Sequence, residues 1–386
     1  MTDVKQIALF LDGTWNNVDD NTNVWRLKSL CAKSSEQLAY YSAGVGTQFG
    51  EHAAGGMFGI GINDEVIGAY EWLVEHYEAD ARLFIFGFSR GAFTARSLAG
   101  FISKCGLLKP GSPVSMKQLY ARYRKGTAES VRALGKVIER ELSQEDGWIK
   151  EYSRPIPIWF QGVWDTVGTL GVPLPCVPKV SRADFAFLET DLRINDTHAY
   201  HALAIDEHRA AFAPTLWTKS TPKQGETYAP RSIDHVEQRW FVGAHANVGG
   251  GYENDLLAQI PLKWLMDKAI ARGLQFKDKV VIDGNENTCP IHDSLAEMAH
   301  GIYEVLTFGQ HYYRIIGSEP VDTGDAVTTT INETIDATVF ERWRTDGTYR
   351  PKKLSDWGKK RDVDPATINL SVRADDPRTV IVPTIP

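Results

Sequence analysis

Short apolar runs alternate along this chain with longer amphipathic patterns. Residues 6–11 (QIALFL) run into Asp12-Gly13, as expected of a strand that is buried on both faces and ends in a turn. Residues 38–42 (LAYYS) make a second, weaker strand. Between 63 and 77 the apolar positions are Val66, Ile67, Tyr70, Leu73, Val74 and Tyr77, a spacing that predicts an amphipathic helix. Residues 83–86 (LFIF) give the strongest strand, and a helical pattern over 91–104 follows at once. A charged, peripheral helix is predicted over 116–142, strands over 156–163 and 239–242, and helices over 256–271 and 294–308. Strand and helix in alternation require crossovers, so the expected class is α/β, a mostly parallel sheet with helices on both faces. The last stretch, 317–386, is polar, rich in Thr and Asp and weakly periodic. It reads as an elaboration lying on one core domain of residues 1–316, which carries a helical insertion around 112–150.

Where the strongest strand gives way to its helix, the sequence is Gly87-Phe88-Ser89-Arg90-Gly91. This G-x-S-x-G pattern is common by chance, and its strand-turn-helix context is what makes it a nucleophile elbow. The turn is so tight that the positions two before and two after the serine must lack bulk. It lifts the hydroxyl above the sheet edge at a helix N-terminus, where amides such as that of Arg90 stabilise developing negative charge. The hydroxyl also needs a base, itself oriented by an acid. In this architecture the chain order is serine, acid, histidine. Asp165 follows the 156–163 strand in GVWDTVG, and His245 follows the 239–242 strand in WFVGAHANVGGGY. Each ends an apolar strand and opens a glycine-bearing loop, at the edge where ligands bind in open α/β sheets. Of the ten histidines, His198, His201 and His208 are expected on a helix, and none of the others shares the setting of His245. A second oxyanion donor is expected from Gly13 or Thr14 in the Asp12-Gly13-Thr14 turn after the first strand.

Composition narrows the function. Of 386 residues, 43% are hydrophobic and 24% charged, which excludes fibrous and disordered classes. A net charge of −7 leaves no electrostatic footprint for nucleic acid. The four cysteines form no C-x-x-C pair and no metal-ligand spacing, so no metal is expected and a reduced, cytoplasmic origin is the default. The N-terminal apolar run is too short for a signal peptide, and no stretch is long enough to span a bilayer. The glycine-rich 55–61 segment lacks a phosphate-loop ending and reads as a loop near the site mouth. Residues 169–180 (TLGVPLPCVPKV) are apolar and proline-rich, as expected either of a site rim that accepts acyl chains or leans on a membrane surface, or of a buried connection between elements.

Five motifs taken together resemble the α/β-hydrolase domain of the first family of type VI secretion lipase effectors: LFLDGTWNN, GFSRGAFTAR, GVWDTVG, AIDEHRAAFAPTLW (204–217) and WFVGAHANVGGGY. The segment 336–354 (DATVFERWRTDGTYRPKKL) resembles a family feature as well. The resemblance implies an α/β-hydrolase fold and phospholipase activity, with Ser89 as nucleophile, Asp165 as acid and His245 as base. It also implies export without a signal peptide, with an immunity or secretion-carrier protein as partner. The family often has an aspartate two residues after the histidine; here it is Asn247, which removes a negative charge near the base. The expected reaction is lipid ester hydrolysis through an acyl-enzyme, with no cofactor. The alternatives are an esterase or thioesterase acting on small substrates, and a non-catalytic binding or toxin-delivery module.

Overall fold

The structure is a computed structural model that describes residues 4–13, 21–44, 57–125, 129–138, 141–167, 192, 196–218, 230–297, 310–317, 321–322, 327–328 and 330–382. Its centre is a sheet of eight strands: β1 (Gln6–Leu11), β2 (Gln37–Ser42), β3 (Arg82–Phe88), β6 (Ile158–Trp164), β7 (Asp196–Ala204), β8 (Val236–Phe241), β11 (Glu333–Ile335) and β12 (Val372–Arg373). Their order is β12-β11-β8-β7-β6-β3-β1-β2, and every pair is parallel except β11 with β12. Two small antiparallel ladders lie outside it, β4 (Leu107–Leu108) with β5 (Ser153–Arg154) and β9 (Val321–Asp322) with β10 (Val327–Thr328).

The apolar runs of the central strands follow from burial on both faces. Successive side chains point to opposite sides of a strand, and both sides here are covered. Ile7, Leu9, Leu11, Leu83 and Ile85 pack under α2 (Met57–His76) and α3 (Arg90–Cys105) through Val66, Tyr70, Leu73, Leu98 and Phe101. Ala8, Phe10, Phe84, Phe86, Phe160 and Trp240 face the other way. They meet α1 (Asn23–Leu30) and α8 (Gln259–Ile270) through Val24, Leu27, Leu262 and Leu265. Aromatic rings cross this second face from strand to strand: Phe10 stacks on Phe86 at 5.1 Å, Phe86 meets Phe160 at 5.3 Å, and Phe160 meets Tyr200 at 5.3 Å. This is an α/β architecture, a mostly parallel sheet with helices on both faces.

Several expected elements differ. Asp196–Ala204 is strand β7, not a helix, and carries His198 and His201; the two histidines, three apart, fall on opposite faces of a strand buried on both, so no polar face marks the period. The expected helix over 116–142 is broken into α4 (Met116–Arg124) and α5 (Val131–Leu134), with α6 (Gln144–Tyr152) after them. Ser115, Ser130 and Ser143 each accept a bond from the first turn that follows, so each restarts a helix. The glycine-rich stretch is helical from Met57 onward, as the start of α2. Within 317–386 the chain forms α10 (Ala337–Thr345) and α11 (Lys352–Lys360) and adds β11 and β12 to the edge of the central sheet. Strands of three and two residues are too short to show a period. The segment 169–180 and Thr14 lie outside the described residues, as does the expected 294–308 helix beyond α9 (Ser294–Glu297).

Candidate active site

Parallel strands bring their C-terminal ends to one edge, and the expected site residues lie there. β3 pairs with β6 so that Phe88 stands opposite Trp164, and the next residues are Ser89 and Asp165. β8 ends at Phe241, and four residues later His245 opens the short helix α7 (His245–Gly249). Ser89 has φ +58°, in the left-handed region that only a sharp turn imposes. Gly87 and Gly91 make that turn possible. A Cβ on Gly87 would stand 2.4 Å from the Gly91 carbonyl oxygen, and one on Gly91 would stand 2.2 Å from the carbonyl oxygen of Leu11. Gly249 has a similar role, because a Cβ there would fall 1.9 Å from the ring of Phe88.

Three side chains far apart in sequence form one hydrogen-bonded chain. The Ser89 hydroxyl lies 2.8 Å from His245 Nε2, and His245 Nδ1 lies 2.5 Å from Asp165 Oδ2. All three residues are buried, Ser89 at 8% exposure and His245 at 6%. The carboxylate accepts only, so Nδ1 carries the proton and leaves Nε2 able to take one from the hydroxyl. Phe88 and Phe212 flank the imidazole, with ring centroids 4.6 and 4.9 Å away. Burial lowers the affinity of His245 for a second proton, and the bond it donates to Asp165 only partly opposes this. At Asp165 burial works upward, but Arg314 and the imidazole outweigh it and hold the carboxyl well below its usual range.

Not every expected donor points into the site. Arg90 opens α3, so its amide belongs to a first turn, where N–H groups project along the axis. The Gly13 amide donates to its neighbour's Asp12 Oδ1 at 2.8 Å, while Asp12 Oδ2 accepts from Thr22 and Tyr41. In this conformation the β1 turn is therefore closed on itself. Asn247 does not reach the imidazole. Its Oδ1 accepts from the amides of Ala244 and His292, and its Nδ2 donates to Asp255, so its work is to hold the entry into α7.

Other polar groups of the site had no role assigned from sequence. Glu207 is fully buried. It accepts from the His245 amide at 3.2 Å, from the Arg209 guanidinium at 2.8 Å and from Ser294 at 3.0 Å. Burial alone would raise its carboxyl, but Arg209 and Arg314 bring it down to about 2. Asp206 accepts from the Gly243 amide at 2.8 Å and from the Tyr349 hydroxyl at 3.2 Å, which ties the C-terminal segment to the histidine loop. The DEHR run after β7 was the visible signal, since so many charges directly behind a buried strand must pair with one another. Arg314, which binds Asp165, sits in the unremarkable HYYRIIG and had none.

Residues 5–268 match the family described as type VI secretion system phospholipase effector Tle1-like, catalytic domain. The chain belongs to this family. Tle1-like catalytic domains are thus the frame for the site, and the family reading supports a hydrolytic, lipase-like enzyme. An uncharacterised protein of Saccharomyces cerevisiae is 28% identical over 239 residues, a match that covers 55% of this chain and 33% of that protein. The chain thus spans about a third of that relative's length. A crystal structure of an uncharacterised protein from Pseudomonas aeruginosa is 18% identical with a TM-score of 0.43, covering 76% of this chain and 50% of the other. The structure of the Tle1 effector bound to the VgrG spike of a type VI secretion system is 17% identical with a TM-score of 0.34, covering 66% and 52%. Among the described residues no helix is long and apolar enough to cross a membrane.

Proposed function

We propose that this Tle1-like domain is a serine carboxylester hydrolase acting on phospholipid. The observation that carries the reading is the continuous hydrogen-bonded path from the Ser89 hydroxyl through His245 to Asp165. His245 Nε2 takes the hydroxyl proton as Ser89 Oγ attacks the ester carbonyl carbon. The tetrahedral intermediate carries its negative charge on the former carbonyl oxygen, against the first-turn amide of Arg90. The Gly13 amide, which here donates to Asp12 Oδ1, serves as a further donor once that carboxylate turns away. The protonated imidazole then gives its proton to the leaving alcohol, and an acyl-Ser89 ester remains. Water, deprotonated by His245, attacks that ester and releases the fatty acid, which restores the Ser89 hydroxyl. Asp165 holds the imidazole tautomer and stabilises its charged form. The chemistry so written needs no cofactor and no metal.

Family membership supports a lipid ester as substrate and type VI secretion as the export route. The test is to incubate wild type and Ser89→Ala with total bacterial lipid extract and resolve the products by mass spectrometry. Free fatty acid and lysophospholipid should appear with wild type alone. Cleavage confined to short-chain esters would move the reading to a small-substrate esterase, and equal products from Ser89→Ala would remove Ser89 as nucleophile.

A further inference from the structure

Arg314 is buried at 1% exposure, and its side chain meets the acid of the site end-on. Nη1 donates to Asp165 Oδ1 at 2.5 Å and Nη2 donates to Oδ2 at 2.9 Å. The same nitrogens donate to the carbonyl oxygens of Ala204 at 2.8 Å and Phe212 at 2.6 Å. Ala204 ends β7, and its own amide donates to Asp165 Oδ1 at 3.0 Å. Phe212 is the residue whose ring packs edge-on against His245. One guanidinium therefore joins the carboxylate, the strand end beside it and the segment that walls the imidazole.

We propose that Arg314 is a positioning residue of the hydrolase site: it locks the plane of the Asp165 carboxylate onto His245, and its charge sets the acidic limit of activity. This rests on the reading of Ser89, His245 and Asp165 given above. A carboxylate offers about four acceptor positions. At Asp165, Oδ1 takes Ala204 N–H and Nη1–H, while Oδ2 takes Nη2–H and the imidazole Nδ1–H. With all of them engaged, the carboxylate has no alternative orientation. A planar fork gives this constraint and an ammonium does not. A buried ion pair can often be replaced by apolar side chains without loss of stability, so stability alone is a weak reason to keep one bonded to the imidazole's partner.

The charge has its own consequence. Asp165 and Arg314 face His245 from the β6 end and from the 310–317 segment, and Glu207 and Arg209 face it from behind the start of α7. Asp206 and His208 flank Glu207 in sequence, Asp255 and His292 lie beyond the neutral Asn247, Asp12 follows β1 and Arg90 opens α3, and from β7 the buried His201 faces Asp165 and Arg314. Within this set Arg314 is the cation bonded directly to Asp165. It withdraws part of the negative charge that would otherwise favour the imidazolium, and so keeps His245 neutral, and competent as a base, to lower pH.

The experiment measures kcat/KM for p-nitrophenyl butyrate across the acidic range, with thermal melting alongside, for wild type, Ser89→Ala, Arg314→Lys and Arg314→Gln. Arg314→Lys should lose about a hundredfold in kcat/KM, the scale of a small misplacement of a reacting group, with its acid limb where wild type has it. Arg314→Gln should show a similar loss with the acid limb raised by about one pH unit. Wild-type kcat/KM in Arg314→Lys, or an unmoved acid limb in Arg314→Gln, overturns the proposal. Arg314→Lys keeps the cation beside Asp165 and remains a folded test where the Gln variant does not fold. Hydrolysis that persists in Ser89→Ala defeats the triad reading, whereas Ser89-dependent hydrolysis that is indifferent to Arg314 defeats this proposal alone.

Discussion

At Gly91 a single methyl group decides whether β1 and α3 can meet. A Cβ there would stand 2.2 Å from the Leu11 carbonyl oxygen and 2.4 Å from that of Asp12, both backbone atoms that no rotamer can move aside. Gly91→Ala should therefore lower stability by about 2–3 kcal/mol, as overpacking does, and shift the Ser89 turn. Gly147→Ala is the control: it lies inside α6 with nothing within 4 Å of its Cβ position, and should gain about 1 kcal/mol from helix propensity. Denaturant midpoints of the two variants check both signs. Equal effects would mean that the closeness of β1 to α3 is not what makes glycine necessary. At this scale Ser89, Asp165 and His245 were legible because each follows an apolar strand and precedes glycine. Arg314 was not, because a buried arginine in a loop leaves no period and no motif, and only the fold supplies its partner.

Among the elements, the strands that carry long apolar runs were the readable ones. β1, β3 and β6 are buried on both faces, so sequence and burial coincide; in β8 the expected 239–242 run is the apolar end of a strand that starts at Val236 and buries Glu237 and Gln238. β7 defeated the same reasoning. Its DTHAYHALA holds two histidines whose polar atoms are satisfied inside the protein: His198 Nδ1 bonds the Trp159 carbonyl at 2.9 Å, and His201 Nε2 accepts from the Thr166 amide at 3.0 Å. A buried polar group with a partner looks in sequence like an exposed one, so the pattern of β7 does not separate a strand from a helix. β11 and β12 were invisible for another: they are short, and what makes them strands is the open edge of β8. One charged helix was expected where α4 and α5 stand, because the serine cap that restarts the chain as α5, Ser130, is a single residue.

In the whole molecule, the buried titratable groups make acid stability a readout of the site's surroundings. His201 is fully buried, and burial, reinforced by Arg96, pushes it down to about 3. The unfolded chain binds a proton at this histidine below its ordinary value of 6.5 while the folded chain does not. Stability therefore falls as pH drops from 6.5 toward 3, by about 1.4 kcal/mol per pH unit from this one group. Asp165 and Glu207 add to the loss further down. Their carboxyls are held low in the fold, so the stability they contribute is present above the usual carboxylate range and disappears as pH falls through their folded values. Denaturation at steps between pH 7 and about 4 should show a declining midpoint, with a shallower decline in His201→Gln. A flat profile would mean that His201 is protonated in the fold. The central claim itself concerns one oxygen atom, and covalent labelling reads it directly. Treated with a fluorophosphonate probe and digested, the wild-type protein should carry one adduct, on Ser89, and Asp165→Asn should label far more slowly. A folded protein that takes up no label at Ser89, or takes it up equally well without His245, contradicts the account.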